Sequence, residues 1–167
     1  MQISPATSTE DFAAFASLVT KYVDWCRTRF AGNQELIDEV FGIQALDAEL
    51  RELPAKYTAP EGRAFLARDG ETIHGCIAYR RRGPEICEMK RLFVPQSSQG
   101  KGIGKSLGLQ LIDESRNDGF QLMRLDTSRT FTEAIALYRS LGFCECAPYY
   151  DYPAHIMADA LFMDRRL

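Results

Sequence analysis

The sequence predicts one α/β domain of the α+β kind, a mixed and mostly antiparallel central sheet with flanking helices. Three observations lead there. The chain has 167 residues, 46% hydrophobic and 26% charged, which suits one domain with a real core. Its apolar spacing switches between the helical period and the strand period along the chain. The resulting order is β, α, α, β, β, β, α, β, α, β, β, which is not the strict alternation of a doubly wound sheet.

The elements read in order as follows. A short strand lies around Ile3. Thr7 and Glu10 have capping-box spacing, and Phe12, Phe15, Ala16, Val19, Val23 and Cys26 step by three and four into a helix ending near Phe30. Gly32 stops it and Asn33 caps the next, whose apolar positions run from Leu36 to Leu53 before Pro54. Residues 63–69 and 72–82 form a hairpin turning at Gly70. A third strand of the set spans 85–94 and stops at Pro95. A helix follows from about Gly104 to Asn117, with Leu107, Leu111 and Ile112 on its apolar face and Gly119 beyond its end. Residues 121–127 make a strand, and Thr130 with Glu133 opens a helix through Tyr138 to Leu141, capped by Gly142. Residues 143–147 and 156–164 close the sheet.

Composition excludes several classes. The net charge of −3 argues against nucleic acid as the main ligand. No apolar run is long enough to span a bilayer, and no leader is legible at the N-terminus, so a cytoplasmic protein with no membrane partner is expected. Five cysteines without a CxxC pair, and two distant histidines, His74 and His155, argue against a disulfide framework or a metal centre. The cysteines read as small buried hydrophobes in strands.

The chemistry points to Gln99-Gly100-Lys101-Gly102-Ile103-Gly104. A glycine-rich turn between a strand and a helix offers unpaired N–H groups and the positive end of a helix dipole to an anion. Gly104-Lys105-Ser106 looks like the end of a P-loop, but the glycine required five residues earlier is Gln99. A dinucleotide fingerprint fails too, because its last glycine falls on Lys105 or Leu107. The pattern [Q/R]-x-x-G-x-[G/A] does fit, with Gln99, Gly102 and Gly104. Together with the preceding strand Glu88 to Pro95 and the segment Ala134 to Phe143, which matches A-x-x-L-Y-x-x-x-G-F, the chain resembles the GNAT N-acetyltransferases over about residues 63–147. One departure is Phe131, where that family often has Asn; Thr127, Ser128 or Thr132 then replaces its side-chain hydrogen bond.

The resemblance implies a sheet splayed between the fourth and fifth strands and one acetyltransferase domain over 1–167. Residues 1–60 form the acceptor side, 63–147 the acetyl-CoA-binding core, and 148–167 a closing loop and strand. It implies acetyl-CoA as co-substrate without a metal. The backbone from Gln99 through Gly100, Lys101, Gly102, Ile103, Gly104 and Lys105 to Ser106 binds the pyrophosphate. Leu92, Phe93 and Val94 pair with the pantetheine arm, and a strand N–H at Phe93 or Val94 polarises the thioester. Tyr138 is the acid for the leaving sulfur, with a core aromatic as the plain alternative. Glu88 is the base, weighed evenly against a strand carboxylate paired with Lys90 or an Arg; Asp126 and Glu85 stand behind it. Strand alternation puts Glu88, Lys90 and Leu92 on one face and Cys87, Met89 and Arg91 on the other. The acceptor is a small-molecule or peptide amine, bordered by Tyr22, Trp25, Arg27 and Arg29 and by the aromatic loop 148–153. Lys90, Arg91 and the run Arg80-Arg81-Arg82 favour an acidic acceptor or are solvated. Many relatives form homodimers. A non-catalytic CoA-sensing domain is the alternative function.

Overall fold

A computed structural model describes all 167 residues. Seven strands form one sheet in the order β1-β2-β3-β4-β5-β7-β6: β1 (Gln2–Pro5), β2 (Gly62–Asp69), β3 (Thr72–Arg81), β4 (Ile86–Phe93), β5 (Leu122–Ser128), β6 (Cys144–Glu145) and β7 (Ala160–Arg166). Every pairing is antiparallel except β4 with β5. That parallel pair has only three rungs, Ile86↔Leu122, Cys87↔Met123 and Glu88↔Arg124. Beyond them the strands diverge into a V.

Helices cover both faces. α5 (Ile103–Asn117) lies on one face, and its Leu107, Leu111 and Ile112 pack into a core with Phe65, Ile77, Met89 and Met123. α1 (Thr9–Arg29) lies on the other, where Phe12, Phe15, Leu18 and Val19 pack against Leu66, Cys76 and Phe93. Each such buried side chain contributes about 1.5–3 kcal/mol. α6 (Thr132–Ser140) follows β5, and Gly119 and Gly142 close α5 and α6 with positive φ.

Several boundaries differ from the sequence reading. The first capping box is Ser8 with Asp11, one residue later than expected, and both reciprocal bonds form. The second predicted helix is three: α2 (Gln34–Ile43), α3 (Leu46–Arg51) and α4 (Leu53–Lys56). Ala45 sits at φ 52° between the first two, and Pro54 begins α4 instead of ending α2, because proline suits a first helical turn. α6 begins after Phe131 with no side-chain cap, so Thr130 and Glu133 form no box. The last predicted strand starts later, since Ala154–Met157 forms a helical turn, α7. All five cysteines are free; Cys76 and Cys87 are buried in strands as expected, but Cys26 is buried in α1 and Cys144 is exposed.

The alternation expected along β4 breaks at Arg91. Lys90 pairs with Ala78 and Phe93 with Cys76, so β4 carries one residue more than β3 there, a bulge. Arg91 takes it up with φ 58°. The bulge keeps Arg91 on the face of Glu88 and Lys90 and turns Leu92 to the α5 side, where it packs with Val94 against the first core. A non-glycine residue in this region costs roughly 1 kcal/mol or more. Arg91 is held by a buried ion pair with Glu49 of α3, Nε–Oε1 2.8 Å and Nη2–Oε2 3.0 Å. Tyr57 donates to the same carboxylate at 2.9 Å.

Candidate active site

The V between β4 and β5 opens a cleft of about 700 Å³. Its lining takes in the end of β4, the turn into α5, the end of β5, the inner side of α6 and the ends of α1 and α2.

One wall of the cleft is backbone. Gly100 and Gly102 have φ 76° and 74°, and Gly102 is the N-cap of α5. Both are conformations that glycine adopts at little cost. The N–H groups from Gly100 to Lys105 make no hydrogen bond within the protein, and pairing resumes at Ser106, whose N–H donates to Gly102 O at 3.0 Å. The helix dipole points the same way. Two residues of the predicted set act differently. Gln99 gives its N–H to Gln96 O and its side-chain Nε2 to Val94 O at 2.9 Å, so it folds the turn back onto β4. Ser106 returns its hydroxyl to Gly102 O. Neither Ser106 nor Lys101 lines the cleft, whereas Leu92, Phe93, Val94, Gln99, Gly100, Gly102, Ile103, Gly104 and Lys105 do. A Cβ on Gly104 would stand 3.2 Å from Leu137 of α6, so this glycine also permits the close approach of the two helices.

Tyr138 reaches the same cleft from α6. Its ring stands edge-on to Phe143 at 6.1 Å, and its hydroxyl makes no hydrogen bond to the protein. Burial, reinforced by the negative charge of Asp126, lifts its pKa well above the usual phenol range, so the proton stays on.

Glu88 is not where the sequence reading needs it. It has no exposed surface and does not line the cleft. Arg80 Nε at 2.8 Å, the Tyr150 hydroxyl at 2.8 Å and Lys90 Nζ at 3.2 Å enclose its carboxylate. Glu88 lies on the last parallel rung, opposite Arg124, and so sits at the closed end of the V. Three carboxylates do line the cleft, Asp126, Glu133 and Asp159; Asp126 accepts from Lys90 at 3.0 Å and from the Tyr152 hydroxyl at 2.9 Å. Burial opposes the ionisation of Asp126, but Lys90 and Tyr152 overcome that and hold its pKa below the usual range. Lys90 and Asp126 each lie two residues beyond the last rung, Glu88↔Arg124. A side-chain bridge thus replaces the next backbone pair at the fork. Tyr150 and Tyr152, on the loop before α7, clamp that loop to the two carboxylates.

The opposite wall is made of side chains. Trp25, Phe30 and Phe131 cluster at 5.1 and 5.6 Å between ring centroids, with Arg29 over Trp25 at 5.7 Å. Phe131 therefore replaces a polar side chain by packing, and Ser128 takes over the turn, accepting from Thr130 N at 3.0 Å. Arg27 pairs with Asp38 at 2.8 Å on the surface and leaves the cleft to Trp25 and Arg29. The arginine run divides: Arg80 turns inward and holds Glu88, while Arg82 is exposed and lies over the Tyr150 ring at 5.1 Å. Sequence reasoning missed Glu49, Gln44 and Lys90 as a bridge, and had Tyr152 only as part of the aromatic loop; no local pattern marks residues that meet from distant elements.

An open, splayed mixed sheet with a free-amide turn at the fork defines an acyl-CoA-type transferase, and the comparisons agree. The model of the acetyltransferase (GNAT) family matches residues 24–143. The chain belongs to that family, and it is an acetyltransferase with acetyl-CoA as co-substrate. An uncharacterized N-acetyltransferase of Schizosaccharomyces pombe is 40% identical over 126 residues, 72% of this chain and 77% of that protein. The structure of an acetyltransferase from Streptococcus agalactiae shares the fold at TM-score 0.75 with 16% identity, covering 99% of this chain and 98% of that one. The PaiA N-acetyltransferase of Thermoplasma acidophilum, solved in complex with coenzyme A, gives TM-score 0.72 at 19% identity over all of both chains. The CoA-sensing alternative finds no support in these relatives. No helix is long and apolar enough to cross a membrane.

Proposed function

We propose that this enzyme acetylates a primary amine of a small molecule or peptide by direct attack within a ternary complex. The observation that carries the reading is the free, protonated Tyr138 hydroxyl in the cleft that also presents the unpaired N–H groups of Gly100 to Lys105. Acetyl-CoA supplies the activated acetyl group. The turn binds its pyrophosphate, with Lys105 adding charge. The inner edge of β4 at Leu92, Phe93 and Val94, left unpaired by the splay, takes the pantetheine arm as an added strand. A strand N–H at Phe93 or Val94 is placed to polarise the thioester carbonyl. As the amine nitrogen bonds the acetyl carbon and the carbon–sulfur bond breaks, Tyr138 gives its proton to the sulfur. The amine's proton leaves to water at the cleft wall beside Asp126, whose carboxylate stays ionised on Lys90. Glu88 is reassigned from base to support: it fixes Lys90, which fixes Asp126.

In this reading residues 1–60 and the loop 148–153 bound the acceptor, and 63–147 hold the donor. The unpaired cysteines favour a reducing compartment, so we place the reaction in the cytoplasm, without nucleic acid or membrane as partner. A homodimer is compatible with it.

The test is thermal unfolding with acetyl-CoA, followed by release of free thiol against a panel of amines. A ligand that binds only the folded state raises the midpoint. A rise with acetyl-CoA and none with ATP–magnesium or NADH is the expected result. A response to ATP–magnesium alone sinks the assignment.

A further inference from the structure

We infer that the acceptor is an amine on an apolar, aromatic body that carries no carboxylate, an arylalkylamine and not an amino acid. This rests on the acetyl-transfer reading above and concerns the same cleft.

The acceptor half of the cleft is lined by Trp25, Phe30, Ile37, Val40, Phe41 and Phe131. Rings and branched side chains at that density favour a flat hydrophobic body. The charges decide the rest. Three cations face this half, and each is already paired. Lys90 is held by Asp126 at 3.0 Å and Glu88 at 3.2 Å. Arg91 is held by Glu49 at 2.8 Å and donates to Gln44 at 2.9 Å. Arg29 lies against Glu133 at 3.4 Å and donates to Thr130 O at 3.2 Å. Lys105 is uncommitted, but it stands at the phosphate turn. A substrate carboxylate reaching the ring-lined interior would therefore meet only Lys90 and Arg91, both buried and already held by carboxylates, with Arg29 out at the exposed rim, and an unpaired ion in that interior is strongly disfavoured.

The opposite holds for a cation. Asp159, half-buried on the cleft wall just before β7, makes no salt bridge and no side-chain hydrogen bond. Its backbone is fixed, because Asp159 O accepts from Arg129 N at 2.8 Å. It is a spare negative charge beside an aromatic compartment, complementary to an incoming ammonium. It favours a protonated amine at entry, and the rings favour the body behind it.

The experiment uses the purified enzyme at saturating acetyl-CoA, measures thiol release, and compares 2-phenylethylamine, L-phenylalanine and spermidine. The first two differ only by a carboxylate. We expect kcat/KM for 2-phenylethylamine to exceed that for L-phenylalanine by about a hundredfold, and that for spermidine by about tenfold. Equal or faster turnover of L-phenylalanine or spermidine overturns the inference. If acetyl-CoA raises the unfolding midpoint but none of the three is acetylated, the acceptor class is wrong while the donor site stands. If acetyl-CoA produces no rise, the acetyl-transfer reading itself fails. Asp159→Asn is the second arm: about a tenfold loss of kcat/KM for 2-phenylethylamine is expected, with the wild-type midpoint and acetyl-CoA response retained. An unchanged value removes Asp159 from acceptor recognition.

Discussion

The two walls of the cleft, which we assign to donor and acceptor, are built from different materials. The donor wall is backbone: glycines at positive φ, six unpaired N–H groups and a strand edge. The acceptor wall is side chain: a ring cluster on α1 and Phe131, and ion pairs that join residues 36 to 42 positions apart, Lys90 to Asp126 and Arg91 to Glu49. A backbone site tolerates change at its side chains but not in its dihedrals. A side-chain site is sensitive to every partner, which makes it the easier of the two to respecify.

The comparison breaks first, and hardest, at Arg91. Arg91→Ala strips the partner from buried Glu49 and unsupports the bulge. We expect a loss of about 3–5 kcal/mol in unfolding free energy by urea titration. A loss below about 1 kcal/mol would show that the bulge holds itself. Next comes Tyr138→Phe, which keeps the ring beside Phe143 and removes one hydroxyl. Turnover should drop by about a hundredfold with acetyl-CoA affinity unchanged; turnover as fast as wild type at every pH discards the acid assignment. Gly102→Val forces a branched side chain to φ 74° at the N-cap of α5. Acetyl-CoA should bind about tenfold or more weakly by calorimetry, and intact affinity would mean that the turn does not hold the pyrophosphate.

Phe131→Asn sharpens the contrast from the other side. It removes ring contacts with Trp25 and Phe30. A cost of about 2–3 kcal/mol is expected, with the acceptor KM raised and the midpoint rise on acetyl-CoA preserved. A lost response to acetyl-CoA would show that the two walls are not separable.

The smallest effect is that of pH on stability. Arg63 holds Asp118 below the usual carboxylate range, and the amides of Thr7 and Ser8 with Arg68 do so for Asp11. Asp126 and Glu49 are likewise lowered, their cations overcoming burial. Each contributes stability that is fully present above its ordinary pKa, 3.8 for Asp and 4.5 for Glu. That contribution is lost as pH falls through the lower folded value. Lys90 is shifted upward by Asp126 and Glu88 against burial, so its contribution persists below its ordinary 10.5 and fades only above it. The unfolding midpoint should therefore be flat from about pH 6 to 8 and decline below about pH 4, and the thiols of Cys26, Cys76 and Cys87, pushed up from 9.0 by burial, add a decline above about pH 9. A decline already at pH 6 would contradict these pairings.

The sequence showed the donor wall well because glycine is a local signal. A position that needs positive φ selects a residue type, and Gly100 and Gly102 announce themselves at fixed spacing. The apolar face of α5 is legible for the same reason, since it follows the helix period; Tyr138 was legible only through the motif Ala134 to Phe143, because its helix period alone reads as core. The acceptor wall is not local. Nothing near Arg91 reveals a bulge, because arginine is an unusual choice for φ 58° and its support comes from Glu49. Without the bulge, strict alternation put Leu92 beside Lys90 and left Arg91 with Met89. Glu88 was misjudged for a related reason: its enclosure depends on Arg80 and Tyr150, which only the folded sheet brings to it. The single long helix expected over 33–53 failed because its apolar spacing survives the break at Ala45.

The fork in the sheet has a cost of its own. After Glu88 and Arg124, β4 and β5 each turn an unpaired edge toward the other inside the molecule. An open strand edge is a template for any extended chain, including a segment of another copy. The aromatic roof of Trp25, Phe30 and Phe131 narrows the approach from one side, and the thioester donor, lying along β4, would fill the rest. The donor would then also serve as a guest strand that keeps the sheet from recruiting a foreign one, and the enzyme should self-associate more slowly on storage with coenzyme A than without it.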